Sequence, residues 1–223
     1  MKIGLGAAVV AVLLFGTSVA QAQIVNGGFE VPVIASNSAQ QFNAGSAAIV
    51  GWTVQSGSVD LVDTGLFAAF QGKQSLDLDG LSPGSISQSF ATIAGQTYNL
   101  DFAYANNGIT PFAGYSANVN VTGGGTLLNT TISHNTSGGA GASLAQMDYV
   151  LFHGLFVADS AASTILFSSL DPAGQNGGIV LDAVSITPAV AITATPEFGS
   201  VFSLGGLLAA GGFGFWARRR RSR

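Results

Sequence analysis

Between Ile24 and Pro188 apolar and polar residues alternate with a period of two in short runs, and no stretch sustains a helical period. In the run from Thr97 to Tyr104, the residues Tyr98, Leu100, Phe102 and Tyr104 share one face, while Asn99 and Asp101 share the other. The same pattern predicts strands over 59–62, 75–78, 86–90, 115–121, 149–156, 164–168 and 179–186, each bounded by Gly, Asn, Ser or Pro. Short strands with one apolar face each bury that face only by stacking two sheets, so the expected fold is all-β, an antiparallel jelly-roll β-sandwich. Trp52, Tyr98 and Phe102 are its expected core. The glycine-rich stretches 106–114 and 134–143 read as long loops, and Gly123 to Gly125 as a hairpin turn.

The two ends break this pattern. Residues 1–22 read as a secretory signal peptide: Lys2, an apolar run from Ile3 to Phe15, then Ala20-Gln21-Ala22, with cleavage between Ala22 and Gln23. Residues 198–217 carry no charge, and as a helix they would extend about 30 Å, enough to cross a bilayer. Arginines fill most of the tail at 218–223, and by the positive-inside rule they stay cytoplasmic, leaving the body on the outer side. The expected organisation is therefore a leader at 1–22, a β-domain at 23–188, a linker at 189–197, a membrane helix at 198–217 and a basic tail.

Charge is segregated in the same way. The net charge of −4 conceals a body from Gln23 to Thr195 in which Lys73 is the one basic residue against ten acids. Such a body repels nucleic acid and anionic lipid. With no cysteine in the chain, disulfides, thiolate metal sites and cysteine nucleophiles are excluded.

Thr195-Pro196-Glu197, a glycine-containing apolar span and then Trp216-Ala217 before an arginine run together resemble a PEP-CTERM sorting tail, with Phe198 where that family has its second proline. The resemblance implies Pro196 and Glu197 as the sorting signal and an exosortase-type processing enzyme as partner. A second resemblance spans the body. Val25-Asn26-Gly27-Gly28-Phe29-Glu30, Gly51-Trp52-Thr53-Val54, Ser75-Leu76-Asp77-Leu78, Gly95-Gln96-Thr97-Tyr98 and Leu181-Asp182-Ala183-Val184 are similar to segments of the choice-of-anchor C family. That family is related to galactose-binding-like jelly rolls, several of which bind carbohydrate. The relation implies a structural calcium ion held between the first strand, the last strand and a middle loop, here Glu30, Asp182 and the loop at Gln71 and Lys73. The alternative is that Glu30 and Asp182 are solvated acids at strand ends.

Catalytic signals are weak. Asp77 and Asp79, two apart in an expected strand, have a spacing of roughly 7 Å that could serve glycoside hydrolysis, but no second acid motif accompanies them. His134 sits in a Ser/Asn/Gly stretch and His153 interrupts an apolar strand, and neither lies in a nucleophile or zinc motif. Sugar binding would use aromatic faces and amides; Tyr104, Asn106, Asn107, Phe112 and Tyr115 are the candidates around one loop, serving either ligand or scaffold, with Gln88 on a strand that could line the same face. The expected function is that of an exported, envelope-anchored, non-enzymatic protein that binds extracellular or cell-wall polysaccharide. A structural or adhesive matrix protein, an ice-binding protein and a glycoside hydrolase are the alternatives.

Overall fold

A computed structural model describes residues 23–107, 114–135, 146–174 and 177–189. The expected leader, the loop centres and the whole C-terminal tail lie outside the described residues. The chain divides into two units, Met1–Ala189 and Val190–Arg223, and only the first contains described residues. Eleven strands follow in order: β1 (Ala39–Asn43), β2 (Thr53–Ser56), β3 (Ser58–Asp63), β4 (Gln74–Asp77), β5 (Ser85–Ala91), β6 (Thr97–Asn106), β7 (Tyr115–Thr122), β8 (Thr126–His134), β9 (Val150–Val157), β10 (Ala162–Ser169) and β11 (Ile179–Pro188).

They form two sheets in which all named pairings are antiparallel. The first has the order β1-β3-β4-β11-β6-β9 and the second β2-β5-β10-β7-β8. The alternation seen in the sequence becomes burial. In β7 the residues Tyr115, Ala117, Val119 and Val121 are buried and Ser116, Asn118 and Asn120 are not. Aromatic rings join the sheets. Phe102 of the first sheet packs edge-on against Phe167 of the second with centroids 5.1 Å apart, and Trp52 lies 6.2 Å from Phe167 and 5.3 Å from Phe29. Trp52 donates its indole N–H to the Asn26 carbonyl at 3.1 Å, which satisfies its polar atom inside the core.

Three strands escape the sequence reading. β1 and β2 are too short and too polar to show a period, and β8 carries only one fully buried apolar residue, Ile132. Sheet-edge pairing makes them strands. His134, expected in a loop, ends β8, and its Nε2 meets the Asp148 carbonyl at 2.6 Å. Gly123 to Gly125 form the expected β7–β8 turn, closed by Asp159, whose carboxylate accepts the Gly124 and Gly125 amides at 2.7 and 2.9 Å.

The outer faces of the two sheets differ. Alternation puts Leu61, Leu76 and Leu181 in the main core, and Val62, Ala105 and Val180 on the opposite side. There Phe67 and Met147, with Leu66 and Tyr149, form a second, smaller apolar layer over the first sheet. The acids Asp60 and Asp77 pair in register on that covered side. Among the described residues the outer face of the second sheet bears no such layer.

Candidate functional site: a carboxylate junction and an uncharged sheet face

The first region joins the start of the domain to its last strand. Gly27 accepts the Val184 amide at 2.9 Å, and any Cβ at Gly27 would stand 1.9 Å from the Val184 carbonyl oxygen, so only glycine permits this approach. Phe29 and Ala183, the neighbours of Glu30 and Asp182, both hold left-handed backbone, with φ of 56° and 53°. At Ala183 this coincides with a register shift in the pairing of β11 with β6 between Asp182 and Ser185. Left-handed backbone at a non-glycine residue is disfavoured and persists where surrounding contacts demand it. Here it re-aims both carboxylates toward the 70–74 segment.

Glu30 Oε1 accepts the amides of Lys73 and Gln74 at 2.7 and 3.1 Å. Asp182 Oδ2 accepts the Gln71 amide at 2.9 Å, and its Oδ1 accepts the Ala183 amide at 2.6 Å. Gln74 completes the lock, accepting the Ile34 amide and donating to the Phe29 and Pro32 carbonyls. Glu30, Asp182 and the loop of Gln71 and Lys73 are thus brought together from three distant parts of the chain. Lys73 contributes its backbone amide, and its charge acts on Asp63. Asp182 is fully buried, and burial pushes its pKa up to about 6, with repulsion from Glu30 adding to the rise.

Two carboxylates that repel each other in a partly dry junction, with oxygen the only donor type, suit a hard cation such as calcium. No three acidic or imidazole side chains converge on one point among the described residues. Carbonyl oxygens and water would complete the shell.

The second region is the outer face of the second sheet. None of its five strands contains Asp, Glu, Lys or Arg. Thr53, Ser87, Leu166, Asn120 and Asn129 lie opposite one another in a row across all five strands. A parallel row runs Ser85, Ser168, Asn118, Thr131, and another Ser89, Thr164, Thr122, Thr126. The result is a lattice of hydroxyls and amides with about 4.8 Å between strands and roughly 7 Å between rows. Cross-strand bonds fix several of these groups: Gln55 Nε2 donates to Ser87 Oγ at 2.8 Å, Ser89 and Thr164 share a hydroxyl bond of 2.8 Å, and Asn118 Nδ2 donates to Asn129 Oδ1 at 2.7 Å. Asn120 Oδ1 is buried and has no donor.

The sugar-binding candidates take other places. Gln88 is buried and clasps the Val25 backbone through its carbonyl and its amide at 2.7 and 2.9 Å. Tyr115 lies in the core, and Asn106 accepts its backbone amide at 3.1 Å. Asn107 is buried and donates to Asp77 Oδ2. Tyr104 is half-buried between Phe102 and His134, and Phe112 lies outside the described residues. These side chains do not form a common exposed platform among the described residues. Asp77 and Asp79 are 2% and 1% exposed, and β4 ends at Asp77, so they are sealed inside the protein and not displayed on one strand face as an acid pair. His153 pairs with Asp101 on the edge strand β9. Missed entirely was the neutral lattice. Its one signal in the sequence was that the outward-facing polar positions of β5 and β7 are all Ser, Asn or Thr, the inward-facing Gln88 apart.

Fold and surfaces together define a two-sheet antiparallel β-sandwich whose strand acids all lie in one sheet, with an uncharged face on the other. The chain belongs to the family described as "Protein of unknown function (DUF642)", whose model matches residues 22–187. It is 32% identical over 167 residues to halomucin of Haloquadratum walsbyi, a match covering 73% of this chain and 2% of halomucin. Among solved structures it is similar to a family 35 carbohydrate-binding module from Clostridium thermocellum, at 16% identity and a TM-score of 0.43, over 68% of this chain and 99% of that one. It is also similar to the CBM22-1 xylan-binding domain from Paenibacillus barcinonensis, at 19% identity and a TM-score of 0.41, over 71% and 99% of the two chains. Likenesses at this level carry no argument about a ligand.

Proposed function

We propose that this protein is a non-enzymatic surface module that binds a neutral extracellular or cell-wall polysaccharide across the outer face of its second sheet. The observation that carries this reading is the absence of any formal charge from five adjacent strands of a domain with ten acids and one lysine between Gln23 and Thr195. Rows of hydroxyl and amide groups on a rigid sheet match the donor and acceptor pattern of a polyhydroxylated polymer, and Leu166 offers a sugar ring an apolar contact at their centre. An anionic polymer would meet the repulsion of the acids around it.

The reading extends to the rest of the chain. Residues 1–22 direct export, 198–217 hold the protein at the envelope, and an exosortase-type enzyme recognising Pro196 and Glu197 releases it. Calcium at Glu30 and Asp182 would staple the first segment to the last strand and supply a structural charge, with no part in binding.

Affinity electrophoresis of the full chain through gels containing neutral polysaccharides tests the binding face. Retardation by at least one neutral polysaccharide, reduced roughly tenfold or more in Leu166→Asp and Asn120→Asp, is expected, since a charge placed in the contact must be desolvated on binding. Equal retardation of the natural chain and both variants, or none with any neutral polymer, would overturn the assignment.

A further inference from the structure

Asp79 follows β4 at the turn that carries the chain from the first sheet to the second, and it is 1% exposed. Neither of its carboxylate oxygens has a hydrogen-bond donor, whereas buried polar groups are almost always partnered. The Ser169 hydroxyl and the Gly84 amide lie close enough to Asp79 to favour its charged form, but each donates to another acceptor. The Gly84 amide donates to the Leu78 carbonyl at 2.9 Å, and the Ser169 hydroxyl donates to Asp171 Oδ2 at 3.3 Å. Ser169 therefore stands beside two carboxylates with a single proton to give. Asp171 is held in place from its other oxygen, which accepts the Ser116 amide at 3.0 Å, and its negative charge acts on Asp79.

Among the described residues no lysine or arginine offsets this pair. The one lysine of the body lies beside Asp63. The surrounding backbone closes tightly on Asp79, for a Cβ at Gly178 would stand 2.8 Å from the Asp79 carboxyl carbon. Asp79 is thus a dry carboxylate with an acidic neighbour, an oxygen-rich setting and no donor that is not shared with another acceptor.

We propose that Asp79 and Asp171, with the Ser169 hydroxyl between them, hold a divalent cation, and that the oxygen-only donor set makes it calcium. The two side chains cannot fill its shell alone, and backbone carbonyls and water complete the coordination of about six to eight oxygens that calcium accepts. The ion ties the turn between β4 and β5 to the connection between β10 and β11, the two crossings between sheets that Asp79 and Asp171 occupy. Through Ser116 it also borders the uncharged face. This site shares no residue with the Glu30–Asp182 junction, and it stands whether or not that junction binds metal or the face binds glycan.

Calorimetric titration of the full chain with calcium chloride counts the ions. Asp171→Asn keeps an acceptor for the Ser116 amide and the shape of the side chain while removing the charge. The expected result is that Asp171→Asn binds one calcium fewer per chain than the natural sequence, and that the double variant Glu30→Gln/Asp182→Asn keeps the ion that Asp171→Asn loses. The site is refuted if Asp171→Asn binds as many ions with the same affinity as the natural chain, or if no calcium binds to either. Should the double variant fail to fold, Asp171→Asn against the natural chain decides alone, and circular dichroism verifies that it is folded.

Discussion

The two sheets have similar strand counts and share one core, yet they divide the chemistry between them. The strands of the first carry Asp60, Asp63, Asp77, Asp101 and Asp182, while those of the second carry no acid and no lysine or arginine. On the first sheet three of these acids lie beneath an added apolar layer or in the junction with the first segment, where burial pushes Asp60 and Asp182 up to about 6 and raises Asp77 well above its usual value. On the second sheet the outward-facing polar groups are neutral and mostly half-buried or exposed. Buried carboxylates are costly unless they hold structure or a cation, whereas neutral hydroxyls can wait in water for a ligand at little cost. The contrast therefore separates a sheet that holds the domain together from one that is free to bind.

The sharpest way to break that contrast is to attack what the sheets share. Phe102 stacks on Phe152 of its own sheet with centroids 4.6 Å apart and meets Phe167 of the other edge-on. Phe102→Ala should destabilise the domain by about 3–5 kcal/mol. In urea, fluorescence and circular dichroism should still report a single transition, because the sheets have one core; two separate transitions would show that they fold as independent layers.

A smaller effect is expected on the first sheet alone. Glu30→Ala removes the acceptor of two backbone amides and should cost about 1–3 kcal/mol in urea denaturation. Glycan retardation by the second sheet should be unchanged in whatever fraction remains folded. Loss of binding by folded protein would show that the two surfaces are one site.

The pH dependence separates the sheets without a mutation. Asp60, Asp79 and Asp182 all have folded pKa values near 6, raised mainly by burial above the usual carboxylate value of 3.8. The folded state then binds more protons than the unfolded state between about pH 4 and 6. Stability in chelator should therefore fall as pH rises through that window, and buried Asp77, whose pKa is also raised, adds to the fall. A melting series from pH 4 to 8 checks this, and calcium should flatten it by stabilising the ionised forms. Polysaccharide binding by the second sheet, whose strands hold no acid, should stay constant from pH 6.5 to 8. The smallest effect is expected for Thr131→Ala on the exposed rim of that sheet, within about 0.5 kcal/mol of the natural chain in urea denaturation.

Much of this architecture was legible in one dimension. Strands such as β6 and β7 announce themselves because every second residue must enter a core, and Trp52, Tyr98 and Phe102 are buried in that core. The joining of Glu30, Asp182 and the 71–73 loop was legible through a family resemblance and not through any local pattern, since their contact spans most of the domain. Local sequence determined which residues alternate, where turns fall and that the body is acidic and without cysteine. Tertiary structure alone decided that β1, β2 and β8 are strands, because short polar segments acquire their hydrogen bonds from a neighbour. It also decided that Gln88 and Tyr115 face inward, that Asp79 meets Asp171 and that Ser, Thr and Asn from five separate segments align into one uncharged face. Period two tells a residue which side of its own strand it is on, but the partner across the sheet is set by register and by the crossing of the chain between layers, which no local spacing records.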